Sequence, residues 1–282
     1  MSGTRAHDDT CDADRREPAV VNLEPRRFLD PRQPSAARER PIADAVNIPL
    51  DQLKQRTNEL PPRDRTVQVA AEPELGAQTV ALLESLGRRA TLCPPRYVNQ
   101  AAGGGRLWEP NAYLAAQVAR WRPGRALDLA CGTGREAVFL AAAGWQVLAV
   151  DVLPDALERG RELERRYLPQ PAVTWQVADL EAGDFRPDGQ WELITVFRFL
   201  HRPLLRRLGA LLAPGGRLVC ETFTTVHRRH RGRPSRDHHV LRPGELPELL
   251  ADLEIEHYAE GWHGPAHTAR ITARRPLKHP SS

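Results

Sequence analysis

The 282-residue sequence predicts an α/β chain built on an open parallel sheet. Three observations predict it. The stretch RALDLACGTGREA (125–137) runs from an apolar segment through a glycine turn, Gly132-Thr133-Gly134, into a helix-like run that Gly144 closes. Two further apolar runs, 145–150 and 173–177, end beside Asp151 and Asp179, as the first ends beside Asp128. Strand and helix patterns also alternate along the chain on both sides of this stretch.

Taken in order, residues 1–20 are polar and aperiodic and read as a disordered tail. FLDPRQP gives a short strand and a turn, and AVNIPLDQLKQRTNELP a strand then a helix, with Leu50, Leu53 and Leu60 as apolar contacts. TVQVA is a strand, 75–87 a helix ending at Gly87, and ATLC another strand, so 21–95 reads as a small α/β domain. Residues 96–107, rich in glycine and following Pro94-Pro95, read as a linker. A larger domain spans 108–276, with a tail at 277–282. It opens on a helix from Trp108 to Trp121, whose apolar stripe either packs on the sheet or caps a ligand pocket. A helix follows from Pro154 to about Tyr167, then a strand (191–197), a helix (204–213), a Pro214-Gly215-Gly216 turn, a strand (217–221) and a helix (243–250). Residues 253–258 and 269–275 form a last strand pair.

The formal net charge is +4, and the segment 226–242 alone carries six arginines against one aspartate. The excess is one local feature, which argues against a broad nucleic-acid-binding face. No run of 18 apolar residues suggests a membrane span, and the N-terminus has no secretory apolar core. The four cysteines form no CxxC, so reduced thiols and a cytoplasmic location are expected.

The glycine turn and the acid at Asp151, 17 residues after Gly134, suit a dinucleotide or S-adenosylmethionine. Charge separates the two. A pyrophosphate is repelled by acids at the strand ends, whereas an ammonium and a sulfonium are attracted, so Asp128, Asp151 and Asp179 favour the methyl donor over a nicotinamide oxidoreductase's cofactor. The stretch LDLACGTGREAVFLAAAGWQVLAVDVLPDAL resembles motifs I and II of class I S-adenosylmethionine-dependent methyltransferases. LWEPNAYL, FRFLHRPLL, LAPGGRLVCETF and LRPGEL are similar to the tellurite-resistance-type small-molecule subgroup, over about 107–275. The resemblance implies a Rossmann-like seven-stranded domain closed by an antiparallel pair, with S-adenosylmethionine as cofactor. It implies donor contacts from Asp128, Ala130, Gly132, Gly134, Arg135, Asp151, Val152, Asp179, Leu180 and Phe197, and a place for Trp108 near the substrate.

For the acceptor side, His201 and Glu221 are the proton acceptors at the fourth and fifth strand exits. Arg198 and Arg202 suit an anionic acceptor. FRFLHRP replaces the [DN]-PP-[YF] element of base-amine enzymes, so nucleic-acid base methylation is disfavoured while ribose and protein targets stay open; the subgroup resemblance implies a small-molecule acceptor. The loop 226–240, with four histidines and five arginines, reads as a solvated connector or an anion-attracting lid; its arginines disfavour a metal. Residues 21–95 resemble a rhodanese domain through FLDPRQP and RPIADAVNIPLDQL, but the expected active loop, AAEPEL (70–75), has no cysteine. An inactive module that docks a protein partner is implied, and a donor-binding scaffold protein is the alternative to an enzyme. The donor motifs lie outside this module, so the donor site is expected to stand without it.

Overall fold

The computed structural model describes residues 21, 23–100, 105–183 and 185–277. The tail expected at 1–20, with Cys11, lies outside the described residues, as do linker residues 101–104 and residues 278–282.

The first sheet is all parallel: β1 (Phe28–Asp30), β2 (Ala45–Asn47), β3 (Val67–Ala70) and β4 (Ala90–Cys93), in the order β2-β1-β3-β4. Helix α1 (Pro34–Glu39) follows β1 and α2 (Pro73–Ser85) joins β3 to β4. Pro34 and Pro73 stand in the first turns of these helices, where their missing N–H costs nothing. Between β2 and β3 the expected helix is two 3₁₀ turns, Leu50–Gln52 and Thr57–Glu59; they still bury Leu53 and Leu60 completely.

Helix α3 (Ala112–Val118) precedes the second sheet, and Asn111 Oδ1 caps it by accepting from the Tyr113 and Leu114 amides at 2.9 and 3.1 Å. The sheet comprises β5 (Arg125–Leu129), β6 (Gln146–Asp151), β7 (Val173–Val177), β8 (Trp191–Phe197), β9 (Leu212–Phe223), β10 (Glu254–His263) and β11 (Ala266–Arg274). Its order is β10-β11-β9-β8-β5-β6-β7, and β11 alone runs against its neighbours. The connections are α4 (Arg135–Ala142), α5 (Pro154–Tyr167), α6 (Arg202–Leu211), α7 (Thr225–Arg231) and α8 (Glu245–Leu249). The expected Pro214-Gly215-Gly216 turn lies inside β9, where the register against β8 shifts. The loop expected at 226–240 is largely helical: α7 ends at Gly232 in left-handed conformation, and a 3₁₀ turn follows at Asp237–His239.

Alternation along β5 sends Ala126 to one face and Leu127 and Leu129 to the other. The first face packs on α3, α4 and α5, the second on α6 and α8. Strand order reverses between β5 and β8, so a crevice opens at the carboxyl ends of those strands.

The stretch expected to link the two sheets is tied into the structure. Arg96 and Pro41 carbonyls accept from Ala43 and Val98 amides, Arg106 exchanges backbone bonds with Glu24 and Arg26, and Tyr97 bridges Ile42.

Candidate active site

At the β5 exit the chain passes Ala130 at φ 54°, Gly132 at 55° and Gly134 at 70° before entering α4. The turn is pinned from the next strand. Asp151 Oδ2 accepts from the Gly132 amide at 2.8 Å, and its Oδ1 from the Leu153 amide at 3.0 Å. A Cβ on Gly132 would meet nothing within 4 Å, so this backbone is open to a ligand. A Cβ on Gly134 would lie 2.2 Å from the Trp175 ring, so this glycine serves the close approach of the turn to β7.

Asp128 is 2% exposed. Its Oδ1 accepts from Thr195 Oγ1 at 2.8 Å, while Oδ2 has no hydrogen-bond partner among the described residues. Burial first, then the nearby Glu136 charge, pushes its carboxyl well above the usual aspartate range. A buried carboxylate oxygen without a partner beside an open glycine turn fits a cationic donor, whose ammonium or sulfonium would favour the ionised form. Beside Asp151, Val152 and Leu153 are 52% and 59% exposed, and Val177, paired with Asp151, is 52% exposed. Three exposed apolar side chains at one strand edge fit the faces of an adenine ring. The residues of this edge therefore fit S-adenosylmethionine: Asp128 and Asp151 would hold its charged and hydroxyl parts, and Val152 and Leu153 its base.

The other expected donor residues divide. Asp179 is exposed at the β7 exit, where Oδ1 accepts from the Glu181 amide at 2.8 Å. Phe197 is half-buried at the end of β8. Leu180 requires a correction: it is 5% exposed and packs in the core, so its side chain does not line the edge. Arg135 requires another. Its Nε donates to the Asn58 carbonyl at 2.9 Å, so its side chain is directed at the N-terminal unit.

On the acceptor side, Glu221 ends a polar chain across the sheet edge. Its Oε2 accepts from Asn111 Nδ2 at 3.1 Å and its Oε1 from Thr268 Oγ1 at 2.7 Å. Thr268 Oγ1, donating to Glu221, accepts from His263 Nδ1 at 2.8 Å. The Asn111 amide donates to Glu136 Oε1 at 3.0 Å, which carries the chain to α4. Burial and the Arg270 charge lower the His263 pKa, with Glu221 opposing and His267 and His257 adding to the fall. Sequence reasoning missed Asn111, Thr268 and His263; the β9–β11 register that aligns Thr268 with Phe223 has no local signature.

Arg198 is exposed, held at φ 57°, with its amide donating to the Glu221 carbonyl at 2.8 Å; its guanidinium pairs with no carboxylate among the described residues. His201 precedes α6, and its Nδ1 is buried without a partner. Two acceptor-side expectations are corrected. Trp108 is completely buried, edge-on to Tyr167 at 5.5 Å, so it is core and not substrate wall. Arg202 bonds Glu245 through Nε at 2.7 Å and Nη2 at 2.8 Å, and its Nη1 and Nη2 also reach the His238 and Val240 carbonyls. It fastens the basic segment to α8, and this pairing holds the Glu245 carboxyl at about 2. Along that segment Phe223 stacks on His227 at 4.4 Å, and Trp262, 49% exposed, stands edge-on to His230 and His267. Among the described residues no group of His, Cys, Asp and Glu could hold a metal ion, and no helix is long and apolar enough to cross a membrane.

Residues 127–218 match a family described as a methyltransferase domain. The chain is 29% identical over 164 residues to the ubiquinone biosynthesis O-methyltransferase of Xanthomonas campestris pv. campestris, covering 51% of this chain and 67% of that protein. It is 38% identical over 127 residues to the cypemycin N-terminal methyltransferase of a Streptomyces species, covering 39% of this chain and 47% of that protein. The chain thus spans about half to two thirds of the length of these curated relatives. Among solved structures, TehB from Haemophilus influenzae aligns with a TM-score of 0.50 at 18% identity, over 59% of this chain and 62% of that one, a likeness of fold alone.

Proposed function

Because residues 127–218 lie in a class I S-adenosylmethionine-dependent methyltransferase domain, and S-adenosylmethionine is the cofactor, we propose that this chain methylates a small anionic or soft nucleophilic acceptor at the β8 and β9 exits. The cofactor supplies an electrophilic methyl group on a sulfonium. The observation that carries the acceptor reading is the Glu221 chain. Glu221 sits at the acceptor-side strand exit with both oxygens fixed by Asn111 and Thr268, so its remaining lone pairs point in a set direction. In this reading Glu221 takes the proton of the acceptor's O–H, N–H or S–H as the methyl group arrives. Thr268 and His263 hold Glu221 Oε1 for this step, His263 Nδ1 donating to Thr268 Oγ1 and Thr268 Oγ1 to Glu221, and the proton passes from Glu221 to solvent once the methylated product leaves. Arg198, exposed and unpaired, binds the acceptor's negative charge, and the Phe223, His227 and Trp262 rings give a planar acceptor a wall.

The likeness to the tellurite-resistance-type subgroup and the basic segment above this edge support a small oxyanion, carboxylate or thiol. The two relatives act, by their names, at an oxygen and at an N-terminus. The N-terminal unit, bounded at 21–95 before the methyltransferase domain at 108–276, is in our reading a rhodanese-like module without sulfurtransferase chemistry. Its 70–75 loop has no thiol, and Cys93 Sγ contacts Gln68 Oε1 at 3.2 Å on neighbouring strands.

The test is conversion of S-adenosylmethionine to S-adenosylhomocysteine against phenols, carboxylic acids, thiols and oxyanions. Glu221→Gln is expected to lower kcat on the accepted compound about 100-fold or more with donor affinity unchanged. Full turnover by Glu221→Gln removes the general-base role.

A further inference from the structure

The donor turn and the N-terminal unit are fastened to each other. Glu59, in the Thr57–Glu59 turn, is completely buried. Its carboxylate accepts from Arg56 Nε and Nη2 at 2.7 and 2.6 Å, both within its own unit. It also accepts from Arg166 Nη1 at 2.9 Å and Tyr167 OH at 3.1 Å, in the last turn of α5. One residue earlier, the Asn58 carbonyl accepts from Arg135 Nε at 2.9 Å. Arg135 is the first residue of α4, directly after Gly134. The far end of α4 is held too: the Val21 amide donates to the Ala142 carbonyl at 2.8 Å. The cores interlock as well, with Leu23 packed into the methyltransferase core and Leu107 into the N-terminal one.

These contacts are not surface ion pairs of small consequence. A carboxylate with no solvent access, shared by two guanidinium groups, is costly to leave half-paired, so the joint forms as a unit or not at all. It grips α4 at its first residue and α5 in its last turn, the two helices that begin directly after the glycine turn and after Asp151 with Leu153.

We propose that the Arg56–Glu59 turn is a positioning element of the donor site, so that docking of the N-terminal unit and donor binding are coupled. The proposal rests on the glycine turn being the donor site, and it reverses the expectation that this site stands without the module. Coupling is reciprocal: whatever docking adds to donor affinity, the donor adds to docking.

Calorimetry with S-adenosylhomocysteine on the full chain is the test. Glu59→Gln keeps the shape and removes the charge; it is expected to weaken binding about five- to tenfold, at the low end of typical coupling. Arg135→Leu should weaken it similarly, and Arg135→Gln, whose Nε2 stands where Arg135 Nε does and still donates to the Asn58 carbonyl, should recover most of the loss. In the wild type, S-adenosylhomocysteine should slow hydrogen exchange at the Glu59 and Leu60 amides, and in Glu59→Gln it should not. A purely structural joint would lower Tm and leave the dissociation constant within twofold of wild type, and that result overturns the proposal. If Glu59→Gln fails to fold, Arg166→Gln, at a side chain 32% exposed, replaces it. With it, unchanged affinity together with exchange at Glu59 and Leu60 indifferent to ligand counts equally against the coupling. A wild type that binds no S-adenosylhomocysteine overturns the donor-site reading itself, a different result from one that binds while its variants bind equally well.

Discussion

The parallel strands of the two sheets end in opposite ways. At the exits of β1–β4 the polar groups satisfy one another. Asp30 receives Arg32 Nε at 2.8 Å and Nη2 at 2.7 Å, and Asn47 Nδ2 spans the Asp30 and Arg32 carbonyls at 3.0 and 2.7 Å. Glu72 Oε1 accepts from Tyr97 OH at 2.8 Å. At the exits of β5–β9, Asp128 Oδ2 has no partner, Ala130 and Arg198 sit at positive φ, and Val152 and Leu153 face solvent. Among the described residues of the N-terminal unit, the non-glycine residue at positive φ is Asp44, which lies before β2, at the other edge. A parallel sheet is therefore not in itself a site. Unsatisfied valence and backbone strain gathered at one edge distinguish the sheet that binds a ligand from the sheet that supports it.

The sharpest way to break this comparison is at Gly134. Alanine there adds a left-handed penalty of about 1–2 kcal/mol to overpacking against Trp175 of about 1–3 kcal/mol. Gly132→Ala, with open space around its Cβ, carries only the first. Thermal unfolding should rank Gly134→Ala well below Gly132→Ala, and donor binding should be lost in the former. Equal Tm losses would mean the approach to Trp175 plays no part. Asp151→Ala comes next. It removes the acceptor of the Gly132 and Leu153 amides and a ligand for the donor, and should cost about 1–3 kcal/mol of donor affinity, read by calorimetry. Unchanged affinity would separate Asp151 from the site.

The unpaired Asp128 sharpens the comparison through pH. Its carboxyl is raised in the free protein, mainly by burial. A bound cation favours the ionised form and lowers that pKa, so between the two values binding releases a proton and affinity rises with pH, by at most about tenfold per unit. The window closes at the raised value of the free protein, which lies above the ordinary aspartate value of about 3.9. The donor, with its sulfonium, should show a steeper dependence than adenosylhomocysteine, and Asp128→Asn should flatten both. Equal slopes for the two ligands would place the sulfonium away from Asp128.

Much of this edge was legible because apolar runs fix where strands stop, and a strand's stop fixes which residue reaches the crevice. The expected bounds at β4, β7 and β8 are those observed, and the run expected at 145–150 is offset by one residue from β6, which ends in Asp151. Side-chain partners distant in sequence were not legible. Arg202 finds Glu245 on α8, and Trp108 finds Tyr167, so two residues read as substrate contacts are structural. Helix α1 was missed because PSAARE has no apolar stripe, and it buries no residue. The 3₁₀ turns at 50–59 read as a helix because Leu50, Leu53 and Leu60 keep helical spacing; what stands there is decided by the joint at Glu59.

The smallest effect concerns the non-glycine residue at positive φ in the turn after β5. Ala130 is held at φ 54°. Glycine there relieves about 1–2 kcal/mol of left-handed strain and adds about 0.5–1 kcal/mol of unfolded-state entropy. The Ala130 methyl also packs against the core beneath the sheet, and its loss subtracts a little more. Ala130→Gly should therefore stabilise the protein by roughly 0.5 kcal/mol, a Tm rise of about 1–2 °C. Donor affinity should stay within twofold, because the Cys131 amide on the Val150 carbonyl and the Gly132 amide on Asp151 hold the turn from the β6 side. A rise in Tm with a fall in affinity would show that the strain at Ala130 is what presents Asp128 to the donor. In that case the edge differs from the N-terminal one through its backbone more than through its unpaired oxygen.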